Sequence, residues 1–140
     1  MAFNILVVDD SRSIRAVIKK IVFLSGFNIE ECYEAKNGRE ALEVLSHHWV
    51  DIIISDINMP EMDGMEFLNA LKKDELFKQI PVIFVTAEGS EERIEQAMRA
   101  GVGGFLRKPF LPEELRSVLT EVIGLDETGK YISLEEGADF

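Results

Sequence analysis

The chain has 140 residues, 46% of them hydrophobic and 29% charged, which is typical of one soluble globular domain with a single buried core. Its formal net charge of −11 at pH 7 argues against binding of DNA or RNA, because such binding needs cations against the phosphates. No apolar stretch approaches the roughly 20 residues that span a bilayer, and the single cysteine rules out an internal disulfide, so we expect a cytoplasmic protein without membrane insertion.

Four short apolar segments, together with a fifth and more polar one, predict strands of a parallel sheet that is buried on both faces. In chain order they are Ile5–Val8, about Ile29–Glu34, Ile52–Ser55, Val82–Val85 and Phe105–Arg107. The second has the weakest pattern. Segments of helical period separate the strands, so the order predicts an α/β, flavodoxin-like doubly wound fold with a five-stranded parallel sheet, strand order 2-1-3-4-5 and five flanking helices.

Start signals support several of these helices. Asn37 with Glu40 three residues later resembles a capping box. Ser90 can cap the fourth helix, at about Glu91–Ala100, and Pro112 fits the first position of the fifth helix.

Polar residues follow four of the predicted strands. Asp9 and Asp10 follow the first strand and Asp56 follows the third, while Thr86 and Lys108 follow the fourth and fifth. In such sheets ligands bind outside the carboxyl ends of the strands, where the strand order reverses. We therefore expect three carboxylates, a hydroxyl and an ammonium to converge at one edge of the sheet.

This set of side chains predicts a particular chemistry. Neighbouring carboxylates repel one another unless a cation lies among them, and oxygen-only ligands at an open edge favour Mg²⁺ over zinc. Once Mg²⁺ and Lys108 neutralise the pocket, a carboxylate can attack phosphorus and form an aspartyl phosphate. Asp56 is the natural nucleophile because it stands alone, whereas Asp9 and Asp10 lie side by side as metal ligands.

The strand ends lie within four longer motifs. They are Val7-Val8-Asp9-Asp10-Ser11, Ser55-Asp56-Ile57-Asn58-Met59-Pro60-Glu61-Met62-Asp63-Gly64, Val85-Thr86-Ala87 and Leu106-Arg107-Lys108-Pro109-Phe110. In this order the motifs resemble those of the receiver domain of two-component response regulators, especially the stand-alone chemotaxis-type members. The resemblance assigns residues 1–124 to a receiver domain and leaves 125–140 as an acidic tail or the start of a linker.

The resemblance implies a phosphorylation-activated switch rather than a turnover enzyme. Asp56 would accept a phosphoryl group, in a Mg²⁺-dependent reaction, from the phosphohistidine of a sensor histidine kinase or phosphotransfer protein. The phospho-form would dephosphorylate slowly and would switch binding of a protein target near the fourth helix, fifth strand and fifth helix.

It also implies a role for each metal ligand. Asp10 would bind Mg²⁺ directly, Asp9 would bind it largely through water, and Asn58 would offer its backbone carbonyl beside Asp56. Lys108 would hold the acceptor carboxylate before phosphorylation and a phosphate oxygen afterwards.

Three further positions complete the implied switch. Thr86 would turn its hydroxyl onto the phosphate, and Phe105 would be the coupled aromatic that swings inward. The Lys108–Pro109 bond would be cis, which the bond before a proline allows at modest cost.

Other classes of protein remain as alternatives. One is a receiver excised from a longer regulator with a DNA-binding or enzymatic output domain. A second is an aspartyl-phosphate hydrolase on a related fold, although such enzymes place an Asp-x-Asp pair after the first strand. A third is a flavin or nucleotide module, but the chain has neither a G-x-x-x-x-G-K-[ST] nor a G-x-G-x-x-G loop.

Several residues have a simpler interpretation. Asp63-Gly64 reads as a turn, and Ser11 reads as a helix cap rather than a catalytic hydroxyl. His47 and His48 read as surface residues, and Cys32 and Trp49 read as packing residues. None of the four is needed for the predicted site.

Overall fold

The computed structural model describes residues 2–87 and 89–123, and the side chains within those ranges up to residue 122. The predicted boundary at Gly124, the acidic segment 125–140 and Glu88 lie outside the described residues.

Five parallel strands form one sheet in the order β2-β1-β3-β4-β5, which confirms the predicted fold. The strands are β1 (Phe3–Val8), β2 (Ile29–Ala35), β3 (Ile52–Ser55), β4 (Val82–Thr86) and β5 (Gly104–Arg107). The first strand begins two residues earlier than predicted because the Phe3 N–H donates to the Asn28 carbonyl at 2.8 Å, which extends its pairing with β2.

Five helices flank the sheet, and they cover both of its faces. The helices are α1 (Arg12–Phe23), α2 (Gly38–Leu45), α3 (Gly64–Lys72), α4 (Glu91–Arg99) and α5 (Pro112–Ile123). Helices α1 and α5 pack against one face, and α2, α3 and α4 contribute buried residues to the core on the other.

The alternation of side chains along the strands divides the core into these two layers. In β1, Leu6 and Val8 point into the layer of α2, α3 and α4, whereas Ile5 and Val7 point into the layer of α1 and α5. All four are at most 1% exposed. A strand with no solvated face is apolar at nearly every position, which is why continuous apolar runs located β1, β3 and β4.

Polar side chains fix where the helices begin. The Asn37 side chain accepts the Glu40 N–H at 2.9 Å, as the predicted capping box requires. The Glu40 carboxylate, however, accepts the N–H of Lys36 and not that of Asn37, so the second hydrogen bond of the box is made one residue earlier in the chain. Asp63 is not a simple turn residue, which corrects the interpretation from sequence. It caps α3 in a reciprocal capping box with Glu66.

The interpretation of Trp49 as a packing residue is wrong. Its side chain is 65% exposed, and its indole N–H donates to the Asp51 carboxylate at 2.9 Å. His47 and His48 are exposed, as predicted, and the His48 ring stacks on Tyr33. None of the helices among the described residues has the length and hydropathy that a membrane-spanning segment needs.

Candidate functional site

Two acidic strand ends meet where the strand order reverses. Strands β1 and β3 are neighbours although they are not consecutive in the chain, so the crevice between their carboxyl ends is open. The Asp56 N–H donates to the Val8 carbonyl at 2.8 Å, and the Asp9 N–H donates to the Ala35 carbonyl at 3.0 Å. The hydrogen-bond ladders thus continue one residue past the strands and hold both aspartates in fixed positions.

Three carboxylates lie together in this crevice. One oxygen from each of Asp9, Asp10 and Asp56 lies within 4.8 Å of the other two. Asp9 and Asp56 are buried, at 1% and 7% exposure, whereas Asp10 is exposed. The cluster therefore has two fixed, buried carboxylates and a third that faces solvent.

Lys108 connects the two buried carboxylates. Its Nζ donates to Asp9 Oδ2 at 2.9 Å and to Asp56 Oδ2 at 3.0 Å. The Lys108 N–H donates to the Thr86 carbonyl at 2.9 Å, which joins the end of β5 to the end of β4, and the Lys108–Pro109 peptide bond is cis. The chain thus brings an ammonium from the edge of the sheet back to its centre.

The second oxygen of each buried carboxylate accepts a backbone N–H. Asp9 Oδ1 accepts the Ser11 N–H at 2.8 Å, and Asp56 Oδ1 accepts the Ile57 N–H at 2.6 Å. The Arg15 guanidinium donates to the Asp9 carbonyl at 2.6 Å. These contacts fix the rotamers of both carboxylates, so that only Asp10 can reorient at low cost.

The electrostatics of the cluster reflect a surplus of negative charge. Burial raises the pKa of the Asp9 carboxyl above its ordinary value of 3.8, although the Ser11 N–H and the Lys108 ammonium oppose the rise. Burial also tends to lower the pKa of Lys108, but its hydrogen bonds to Asp9 and Asp56 outweigh burial and the pKa lies above the ordinary 10.5. The ammonium thus stays charged, while one cation does not neutralise three carboxylates.

The loop after β3 is held close to the end of that strand by a glycine. The Gly64 N–H donates to the Ile57 carbonyl at 2.7 Å. A Cβ at this position would collide with the Asp56 carbonyl oxygen and would lie 2.8 Å from the Ile57 Cα. Only glycine allows α3 to begin directly against the backbone of Asp56.

Thr86 and Phe105 lie on the neighbouring strands β4 and β5. Thr86 is fully buried at the end of β4, next to Arg107 in the sheet register. Phe105 lies opposite Phe84 and is half-buried against the core layer of α2, α3 and α4. Both residues thus lie on the β4–β5 side of the sheet, one on each strand.

The donor set fits a hard divalent cation. Every ligand atom in the cluster is a carboxylate oxygen, and one side of the crevice is open to water through Asp10. Such sites suit Mg²⁺, which keeps several of its waters and prefers oxygen. The exposed side chain of Asn58 follows closely after Asp56, so its loop borders the same crevice.

Some contacts of the site were not foreseen from sequence. Those of Arg15 and of the Ser11 and Ile57 N–H groups depend on tertiary distances and have no local signature. Asp63 could have been recognised, because a glutamate stands three residues after it, as in a capping box.

Comparisons with known proteins agree with the fold and the motifs. The model of the response regulator receiver domain matches residues 5–120. Chemotaxis protein CheY1 of Helicobacter pylori is 39% identical over 125 residues, which cover 89% of this chain and 99% of that protein. The solved structure of chemotaxis response regulator CheY4 of Vibrio cholerae matches with a TM-score of 0.78 and 37% identity, covering 87% of this chain and 99% of that chain.

A longer relative also matches. The probable transcriptional regulator ycf29 of Porphyra purpurea is 34% identical over 139 residues, which cover 99% of this chain but 65% of that protein.

Proposed function

The chain belongs to the response regulator receiver domain family, and we propose that it is a Mg²⁺-dependent phospho-switch in which Asp56 accepts the phosphoryl group. The observation that carries the proposal is the geometry of Lys108, whose ammonium bonds both Asp9 and Asp56 at the crevice between β1 and β3. A single cation between two buried carboxylates, with a third carboxylate nearby, suits a site that receives a second cation and a phosphoryl group.

The acceptor carboxylate is prepared by its backbone. The Ile57 N–H and Lys108 Nζ each bond one oxygen of Asp56, which orients the group and limits its motion. An Asp56 oxygen bonds to phosphorus as the P–N bond of a phosphohistidine on a histidine kinase or phosphotransfer protein breaks, and the electron pair of that bond stays on the imidazole. No general base is needed, because a carboxylate attacks phosphorus without giving up a proton.

The remaining polar residues neutralise charge. Mg²⁺, when bound by Asp9, Asp10, Asp56 and the Asn58 carbonyl, supplies positive charge beside the phosphoryl oxygens. Asp9 has both oxygens engaged by Ser11 and Lys108, whereas Asp10 is exposed, which supports direct binding by Asp10 and water-mediated binding by Asp9. Lys108 transfers one of its bonds from the carboxylate to a phosphate oxygen.

The output follows from the position of Thr86. Its hydroxyl turns toward the phosphate, and the half-buried Phe105 ring moves into the space that is released. The surface of α4, β5 and α5 changes with it, and a protein target docks there. Met98 on α4 is 60% exposed and Leu111, just before α5, is 59% exposed. The two side chains supply apolar area for such a contact.

A direct test is the substitution Asp56→Asn with labelled acetyl phosphate as donor. The wild type should take up label to near one phosphoryl group per chain, and hydroxylamine should release it as it does acyl phosphates. Asp56→Asn should take up none, and excess chelator should abolish labelling of the wild type.

The matched control is Asp74→Asn, since Asp74 Oδ1 only accepts the Leu76 N–H outside the crevice and an amide oxygen can replace it. Equal labelling of the Asp56→Asn variant and the wild type would move the acceptor elsewhere. Turnover of an added phosphomonoester, far beyond one equivalent, would identify a phosphohydrolase instead.

A second candidate is that the receiver controls an output domain in a longer protein. The match to a transcriptional regulator of which the chain covers 65% favours it. The mass of the protein purified from its native cells decides between the two: about 15.8 kDa supports the stand-alone switch, and a larger mass supports the longer regulator.

A further inference from the structure

Asp63 joins the acceptor loop (residues 57–63, directly after Asp56) to α3, and one of its carboxylate oxygens takes no part in capping the helix. Its Oδ1 accepts the Glu66 N–H at 2.9 Å, and its own N–H donates to the Glu66 carboxylate at 2.9 Å. This reciprocal capping box fixes the orientation of the carboxylate. The other oxygen, Oδ2, faces α4 and lies 3.8 Å from Arg93 Nη2.

Arg93 lies in the first turn of α4 and faces Asp63 across the gap between this helix and the acceptor loop. Its N–H donates to the Ser90 side chain at 3.3 Å, so the residue moves with the start of the helix. The exposed fractions of the Arg93 and Asp63 side chains are 34% and 31%. Within the part of the chain that the structure describes, the Arg93 Nε is buried without a hydrogen-bond partner.

The two nitrogens involved form one edge of the guanidinium group. The Nε and Nη2 N–H groups point in parallel. They can each donate to a different oxygen of one carboxylate, or both donate to the same oxygen, with N···O distances of about 2.7–2.9 Å. At 3.8 Å the present contact is an ion pair beyond hydrogen-bond distance. A buried, unsatisfied donor of this kind is costly, so an arrangement in which α4 approaches Asp63 by about 1 Å is favoured at this pair.

We propose that Arg93 and Asp63 form a latch that closes when Asp56 is phosphorylated, so that Arg93 is a positioning residue for the active arrangement of α4. The inference rests on the proposed function, because Thr86 must move toward the phosphate. Only four residues separate Thr86 from the first residue of α4, so that movement draws the start of the helix toward the acceptor loop. The approach brings the guanidinium edge into hydrogen-bond distance of Asp63.

The latch can be measured as the affinity for fluoroberyllate, used with Mg²⁺ as the phosphoryl mimic. Arg93→Met removes the charge at similar length, and Asp63→Asn removes the charge while its amide oxygen can still cap α3. Each should weaken fluoroberyllate binding about two- to fivefold, as expected for a partly exposed ion pair. The double variant should be no weaker than either single variant, because the two residues act as one pair.

Two further variants separate the latch from a general effect of charge. Arg99→Met removes an exposed arginine of the same helix, paired with Glu95 at 3.7 Å, and should leave the affinity unchanged. Arg93→Lys keeps the charge but lacks the two-donor edge, so it should restore less than half of the lost binding free energy. A merely structural role would instead lower the thermal stability of the unliganded protein and affect both states alike.

Unchanged affinity in both single variants, or strictly additive losses in the double variant, would overturn the latch. Labelling of Asp56 by acetyl phosphate should persist in all five variants, since the side chains of Asp63, Arg93 and Arg99 make no contact with Asp56. Loss of labelling in the wild type would count against the proposed function, whereas wild-type labelling with unaltered affinity in the variants would count against the latch alone.

Discussion

Asp9 is the residue whose chemistry is most altered by the fold. Its carboxylate is 1% exposed and lies beside Asp56, with Lys108 as the shared cation. Burial disfavours the charged form more than the ammonium and the Ser11 N–H favour it, so its pKa is raised above 3.8. The ionised Asp9 carboxylate thus lowers the free energy of unfolding at neutral pH. The same buried negative charge is what favours a cation in the proposed site.

The first prediction is that Asp9→Asn stabilises the metal-free protein at neutral pH by about 1 kcal/mol. The amide oxygen can keep the Ser11 N–H bond, while a buried negative charge is removed. Because the folded state binds the Asp9 proton more tightly than the unfolded state, wild-type stability from this group rises as the pH falls toward 3.8. The gap between variant and wild type should therefore narrow in the same direction.

Urea denaturation in the presence of chelator, at a series of pH values, measures this gap. A gap that widens on acidification would show that the Asp9 pKa is lowered rather than raised in the folded protein.

Helix starts and strand ends are the elements that shape the acceptor loop. Helix α3 begins at Gly64, one residue after the Asp63 cap, and its first N–H bonds the Ile57 carbonyl next to Asp56. The cap and the close backbone contact act together: one sets the direction of the helix and the other sets its distance from β3. Asp56, the proposed acceptor, is therefore held by the start of α3 as well as by its own side-chain hydrogen bonds.

The second prediction concerns that boundary. Gly64→Ala should destabilise the protein by about 2 kcal/mol or more, because the added methyl meets backbone atoms of residues 56 and 57 and the Phe84 ring. Phosphorylation of Asp56 should slow in the folded fraction as well. Gly89→Ala is the matched control, since its added Cβ has nothing within 4 Å. Unfolding curves and acetyl phosphate labelling check both, and equal losses in the two variants would contradict the role of close packing.

The third prediction concerns the connection from β4 to β5. Thr86→Ala should keep phosphorylation of Asp56 but separate it from partner binding, because the missing hydroxyl can no longer follow the phosphate. Nuclear magnetic resonance shifts on adding fluoroberyllate should be large near Phe105 and α4 in the wild type and much smaller in the variant. Equal distant shifts in both proteins would mean that the coupling runs through another part of the fold.

At the scale of the whole molecule, charge and metal binding are linked. The chain has a formal charge of −11, and the crevice concentrates three carboxylates against one ammonium. A cation that binds only the folded arrangement of these groups stabilises that arrangement by mass action. We therefore expect removal of this cation to lower the stability of the whole fold and not only to empty the site.

The fourth prediction is that Mg²⁺ at ten times its dissociation constant raises the free energy of unfolding by about 1.4 kcal/mol. We expect that constant to be roughly millimolar to sub-millimolar, since few carboxylates hold the ion. Asp10→Asn should weaken the effect more than Asp9→Asn, because the exposed Asp10 is free to bind directly while both oxygens of Asp9 are engaged. Thermal unfolding over a Mg²⁺ titration measures this, and an unaltered response in Asp10→Asn would exclude it as the main ligand.

The sequence by itself determined the strands and the residues at their ends. A strand buried on both faces is a nearly continuous apolar run, so Ile52–Ser55 and Val82–Val85 could be located by composition, and Asp56 could be placed directly after a strand. The fourth strand in fact includes Thr86. The alternation of strands and helices then limited the topology to a few arrangements. The exposed Trp49 was misjudged, because the polarity of a single loop residue carries little information about its burial.

Only the tertiary structure decided which side chains meet. Lys108 lies 52 residues from Asp56 and 99 from Asp9 in the chain, yet its ammonium donates a hydrogen bond to each of them, at 3.0 and 2.9 Å. The same holds for the approach of Arg93 to Asp63, which places α4 against the acceptor loop. Local sequence sets periodicity and caps because these depend on neighbours in the chain. The distance between side chains on different elements depends on how whole layers pack, which no short segment encodes.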